Sequence, residues 1–224
     1  MANLVLLRHP QSQWNLENRF TGWVDVPLSE KGIEQIREIA RKLSKIKFDI
    51  VYTSPLVRNQ GTVLRIFDYW GEKYPIFFHF QGKMKKWANF KETNKNYIPV
   101  FVTEKLNERY YGQLQGMNKD VLAKKYGRET IQVWRRSFEQ GPPGGERLKD
   151  VLKRIVPFYK RYIVKDLKRG KNVLIVASHN SLRGLAKYLG KISDKEIADF
   201  EIATGALIKY EFDKNLNIKN KKAL

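Results

Sequence analysis

The chain has 224 residues, 43 Lys+Arg against 23 Asp+Glu, a formal net charge of +20, 42% hydrophobic residues and no cysteine. Such a length suffices for one large or two small domains with a well-buried core, and the missing cysteine excludes a disulfide scaffold, a thiol nucleophile and a thiolate metal site. There is no signal-like apolar region and no apolar run of membrane-spanning length, so the reading is a cytoplasmic protein.

Taken in chain order, strand-like and helix-like segments alternate, which predicts an α/β protein: a three-layer α/β/α arrangement around a mostly parallel sheet, read as one domain over 1–224. The first strand, Asn3–Arg8, ends on Arg8-His9. After a loop through Thr21-Gly22 to Pro27, Ser29 is placed to cap a helix whose apolar stripe is Ile33, Ile36, Ile39, Ala40 and Leu43. Asp49–Thr53 is a strand, Pro55 suits a helix start and Val57 to Trp70 is helical. Residues 71–98 read as irregular, with Phe77, Phe78, Phe80, Trp87 and Phe90 among lysines, and His79 is taken as a surface or packing residue.

Val100–Thr103 is a short strand, 118–126 and 130–138 are helical, and a Gly-Pro-Pro-Gly-Gly loop at 141–145 reads as a lid or a simple turn. Leu148–Leu167 is a long amphipathic helix. Val173–Ser178 is a strand that ends on His179, followed by a helix over Leu182–Leu189. Ser193 and Glu196 form a capping box, Leu207–Phe212 is the last strand, and the polar tail from Lys214 reads as frayed.

Two of the chain's three histidines therefore stand at strand ends, the edge where open α/β sheets build sites. Arg8, Arg58 and Arg135-Arg136 near them point to an anion, with phosphate the first choice. The net charge points less clearly. Lysine is spread over nearly every segment, so a surface that has drifted basic is preferred both to a nucleic-acid interface and to a field attracting an anionic metabolite.

The motifs in order are Arg8-His9-Pro10 to Asn15, Arg19-Phe20-Thr21-Gly22-Trp23, Leu28-Ser29-Glu30-Lys31-Gly32, Ser54-Pro55-Leu56-Val57-Arg58, Asn107-Glu108-Arg109-Tyr110-Tyr111-Gly112, Trp134-Arg135-Arg136-Ser137, Gly144-Gly145-Glu146 and Ser178-His179-Asn180-Ser181-Leu182-Arg183. This ordered set resembles the histidine phosphatase superfamily and, within it, the 2,3-bisphosphoglycerate-dependent phosphoglycerate mutases, from about residue 4 to Asp213 except roughly 71–98.

The resemblance implies that His9 is the phosphoryl-accepting nucleophile, clamped by Arg8, Arg58 and His179, and that Glu108 moves the proton. Asn15, Thr21, Gly22, Arg109, Tyr111, Lys119, Arg135, Arg136 and Asn180 match substrate positions. An anion at both ends of a three-carbon substrate calls for cations at both ends of a pocket, as Lys119 and Arg135-Arg136 would supply. The implied reaction interconverts 3- and 2-phosphoglycerate, primed by 2,3-bisphosphoglycerate. No metal is expected, since there is no His-Glu-x-x-His and no spaced aspartate cluster.

The chain departs from the family pattern in several places. Pro10 replaces a glycine and removes a backbone donor; Gln11 replaces a glutamate; the glycine after His179 is missing; Asn59 and Arg147 replace alanine and serine. Fifty positions separate Arg58 from Glu108, nearly twice the family's spacing, which suggests an insertion within 71–98. Two alternatives stay open: a phosphatase of the same superfamily, with water as acceptor, and a degenerate enzyme acting as a basic binding protein. A homo-oligomer is also left open.

Overall fold

A computed structural model describes residues 2–88 and 96–224. Its centre is a seven-stranded sheet in the order β3-β4-β2-β5-β1-β6-β7. The strands are β1 (Ala2–Arg8), β2 (Ile50–Thr53), β3 (Tyr74–His79), β4 (Tyr97–Val102), β5 (Val173–Ala177), β6 (Leu207–Phe212) and β7 (Ile218–Ala223). The five strands from β3 to β1 run parallel, whereas β6 is antiparallel to β1 and β7 to β6.

Leu4, Val5, Leu6 and Leu7 of β1 are all fully buried, as the continuous apolar run demands of a central strand covered on both faces. Alternation divides them between two layers. Leu4 and Leu6 join Ile155, Phe158, Leu182 and Leu185 on one face; Val5 and Leu7 join Ile36, Leu43, Val63 and Phe67 on the other. The first layer is built by α7 (Leu148–Phe158) and α9 (His179–Gly190), the second by α2 (Glu30–Leu43) and α3 (Val57–Trp70).

The Ser29 hydroxyl caps α2, accepting from the Gly32 amide at 3.1 Å. Ile33, expected on the buried stripe, is 41% exposed; Gly32 takes the inner position, where a Cβ would collide with the Gln11 carbonyl. The long helix begun by α7 continues through a π turn at Tyr159–Ile163, two residues past Pro157, into α8 (Val164–Lys168). The Ser193–Glu196 capping box forms, but it opens only a 3₁₀ turn at Glu196–Ala198.

Two expectations are corrected. The described part of 71–98 is not irregular: β3 forms the sheet edge, a short helix α4 (Gly82–Trp87) follows, and β4 already begins at Tyr97. As an edge strand β3 is only partly buried and tolerates Pro75. Its aromatics pack all the same, with Phe78 and Phe80 at 5.3 and 5.6 Å from Phe101 and Phe80 at 4.7 Å from Tyr162. Phe90 lies outside the described residues. The tail is not frayed either. Asp213 turns it by accepting from the Asn215 and Asn217 amides, each at 2.9 Å, and the lysine-rich β7 pairs with β6. A lysine-bearing edge resists further strand pairing, which explains its polar sequence.

Candidate active site

The parallel register sets Arg8 against Ala177, so β1 and β5 end side by side. The His9 amide extends the pairing with a bond to the Ala177 carbonyl at 3.2 Å, which fixes His9 at the C-terminal edge. His9 is 3% exposed and its Nδ1 lies 2.7 Å from the Pro10 carbonyl. With Nδ1–H donating there, Nε2 keeps its lone pair. Proline retains the carbonyl that this bond needs, so the loss of its N–H leaves the contact intact. Burial, then the charges of Arg58 and Arg8, hold the His9 pKa well below the usual histidine range, so the ring is neutral near pH 7.

The helix after β5 starts earlier than the sequence suggests: Ser178 is the N-cap and His179 its first residue. Asn180 therefore sits in the first turn, and its backbone N–H and side-chain amide both donate to Glu108 Oε1, at 3.2 and 2.8 Å. The Glu108 carboxylate also accepts from the Arg109 amide at 2.7 Å. Burial alone would raise its pKa. The His179 ring, the Arg109 amide and the Asn180 amide overcome that and hold it below the ordinary glutamate value.

The chain carrying Glu108 is itself clamped. Arg154 Nη2 donates to the Asn107 and Glu108 carbonyls at 2.7 and 2.9 Å and pairs through Nε with Glu146 at 2.8 Å, while Trp23 Nε1 reaches the Glu108 carbonyl at 2.7 Å. The loop at 141–145 is a packed turn: Gln113 donates to the Pro143 carbonyl and Glu146 to that of Tyr110. At Gly112 (φ +53°) an added Cβ would strike Pro143 of that loop.

Arg8, His9, Asn15, Thr21, Gly22, Arg58, Glu108, Tyr111, Lys119, Arg135, Arg136 and His179 come together around one cleft of about 600 Å³, counted to its open mouth. Arg58 spends its two terminal nitrogens on the Gly22 and Val24 carbonyls, at 2.7 and 2.9 Å, which ties the Thr21–Gly22 turn to α3. Asn15 closes a capping box with Ser12. Burial and then Arg135 and Arg8 lower the Lys119 pKa to about 8; burial lowers that of His179 to about 4.

Arg109 and Asn180 do not line the cleft. Arg109 is fully buried beneath it, 4.7 Å from the Tyr111 ring and donating to the Arg135 carbonyl at 3.0 Å. Asn180 is spent on Glu108, on the Tyr111 hydroxyl at 3.0 Å and on Arg183, whose Nη1 donates to its Oδ1 at 2.9 Å. Arg19 and Glu201 line the cleft although the sequence did not mark them as site residues. Arg19 belongs to a quoted motif; Glu201 has no sequence signal beyond its place before the Thr204–Gly205 turn.

A buried neutral imidazole ringed by arginines is an arrangement for taking and releasing a phosphoryl group. The model of the histidine phosphatase superfamily, branch 1, matches residues 4–78 and 86–220. The chain belongs to the histidine phosphatase superfamily. It is 42% identical over 226 residues to the 2,3-bisphosphoglycerate-dependent phosphoglycerate mutase of Protochlamydia amoebophila, covering 99% of this chain and 100% of that protein. It is 43% identical over 228 residues to the protein of that name from Methanococcus vannielii, covering 99% and 97%. Among solved structures, the mycobacterial glucosyl-3-phosphoglycerate phosphatase superposes with a TM-score of 0.75 at 21% identity, covering 99% of this chain and 96% of that one. This last likeness concerns the superfamily fold.

Proposed function

We propose that this chain interconverts 3-phosphoglycerate and 2-phosphoglycerate by way of a phosphoryl group carried on His9, in glycolysis and gluconeogenesis. The observation that carries the reading is the donor set of the cleft. Arg8, Arg58 and His179 surround His9, and Lys119, Arg135 and Arg136 line the same cavity. A phosphatase needs only the first group; a substrate with a phosphate and a carboxylate uses both.

The same set fits 2,3-bisphosphoglycerate, an anion at both ends, and the buried Arg8 Nε, which has no partner among the described residues, is one donor left for it. When bound, that molecule supplies the first phosphoryl group to His9. Nε2 is the atom that holds it, because Nδ1–H is committed to the Pro10 carbonyl. In turnover the substrate hydroxyl oxygen attacks phosphorus, the P–N bond to His9 breaks, and the Glu108 carboxylate takes the hydroxyl proton. On return His9 Nε2 attacks the other phosphoryl group, and Glu108 gives its proton to the departing oxygen. Arg8 and Arg58 hold the equatorial oxygens as charge redistributes. Lys119, Tyr111, Arg135 and Arg136 hold the far end, with Asn15, Thr21 and Gly22 completing the wall.

The proposed partners are phosphoglycerates, and the basic field draws these anions toward the cleft. Among the described residues no helix is long and apolar enough to cross a membrane; the proposed location is the cytoplasm. The test is conversion of 3-phosphoglycerate by purified protein in EDTA, with and without catalytic 2,3-bisphosphoglycerate. Stimulated conversion, lost in His9→Ala, is expected. Phosphate release without conversion would make the chain a phosphatase, and neither product would leave a binding protein.

A further inference from the structure

One carboxylate in the cleft has no part in the proton cycle. Glu201 Oε1 lies 3.3 Å from Arg8 Nη1 and 3.0 Å from His179 Nε2, and its Oε2 pairs with Arg136 Nη1. The His179 contact has the distance of an ion pair but not the alignment of a hydrogen bond, since Nε2 finds no hydrogen-bond partner. Glu201 thus spans two arginines and the neutral His179 ring, groups that the proposed function assigns to both parts of the substrate.

The backbone on either side is pinned. Arg183 Nε donates to the Phe200 carbonyl at 2.9 Å, Arg8 Nη1 to the Ile202 carbonyl at 2.5 Å, and the Ile202 side chain is buried. The Glu201 side chain is 44% exposed between those anchors. Its contacts with Arg8 and Arg136 are made by the side chain, whereas the loop is held through the Phe200 and Ile202 carbonyls. Glu108, the other carboxylate of the cleft, is buried and held by three donated hydrogen bonds. Among the described residues, Glu201 is held only by the side chains of two arginines, Arg8 Nη1 donating to Oε1 and Arg136 Nη1 to Oε2, and by no backbone N–H.

We propose that Glu201 is an internal anion that occupies Arg8, His179 and Arg136 in the free protein and is displaced by the phosphoryl group of the incoming ligand. This rests on the reading of the cleft as a phosphate site. Two effects of opposite sign follow. Without ligand, Glu201 offsets the effect of burial and then of the Arg136 charge, which lower the Arg8 pKa. With ligand it is a competitor, and apparent affinity falls by the fraction of protein in which it has swung clear.

The experiment compares the full chain with Glu201→Gln and Glu201→Ala, using inorganic phosphate in calorimetric titration and thermal melting without ligand. If Glu201 is clear of the cluster about a tenth of the time, either variant binds phosphate roughly tenfold more tightly while its ligand-free melting temperature falls. The KM for 3-phosphoglycerate falls in parallel. Unchanged or weaker phosphate binding in both variants would overturn the proposal, because a purely structural Glu201 lowers stability and affinity together. Phosphate titration requires no turnover. Tighter binding in proteins that do not convert 3-phosphoglycerate would therefore count against the mutase reading and for the role of Glu201.

Discussion

Asn180 and Glu108, seventy-two positions apart, are joined twice: the backbone N–H and the side-chain amide of Asn180 both donate to one carboxylate oxygen. The first turn of α9 is thereby capped by the residue proposed to carry the proton. Asn180→Ala removes one of these donors and leaves the other. The Glu108 pKa is expected to rise toward the value that burial alone would set, moving the acidic limb of the kcat profile to higher pH. Turnover should fall roughly tenfold or more, in line with a lost charge-assisted hydrogen bond. A kcat profile against pH checks this, and an unmoved acidic limb would remove Asn180 from the proton step.

Lys119 titrates near 8, because burial and then Arg135 and Arg8 penalise its charge. In the proposed function substrate binding needs the charged form, so KM should be flat below pH 8 and climb above it. Lys119→Arg, which stays charged throughout, should abolish the climb at the cost of a higher KM near neutrality. Steady-state kinetics from pH 6.5 to 9.5 would show whether the limb belongs to this residue.

His179 is held near 4 against an ordinary value of 6.5. Between those values the unfolded chain binds a proton that the folded one refuses. Stability present above 6.5 is therefore lost as pH falls toward 4, by up to about 3 kcal/mol. Glu201 and Glu108 pull the other way and Arg8 reinforces the shift. His179→Gln lacks the titration, so its urea unfolding free energy should change less over this interval than that of the natural chain. Parallel slopes for the two proteins would refute the assignment.

Phe80 has ring contacts with Phe101, Phe158 and Tyr162 beneath the β3 edge. Phe80→Ala should cost about 2 kcal/mol, less than a fully buried phenylalanine because the ring is half-buried. The expected result is a lower urea midpoint with an unchanged KM for 3-phosphoglycerate, since β3 does not line the cleft.

The central strands were legible because a strand covered on both faces must be apolar throughout, as Leu4–Leu7 and Val173–Ala177 are. The edges were not. β3 mixes aromatics with a proline, and β7 is mostly lysine and asparagine, so hydrophobic pattern gives no cue; their pairing comes from the neighbouring strand and, for β7, from the Asp213 turn. In the cleft, Arg8-His9 and His179 announced themselves as basic groups closing apolar runs. The partnership of Asn180 with Glu108 did not, because it depends on where α9 begins, one turn earlier than its apolar pattern. Glu201 was hidden for a simpler reason: a lone acid in a loop reads as solvated surface until the fold places two arginines and a histidine around it.

β1, which leads into His9, pairs on one side with β5 and on the other with β6, both far along the sequence. Contacts of such sequence separation close late. A nascent chain therefore presents Arg8 and His9 with neither His179 nor Glu201 beside them until the segments that carry those residues have been made. The proposed phosphoryl site is therefore assembled only when these distant strands have paired.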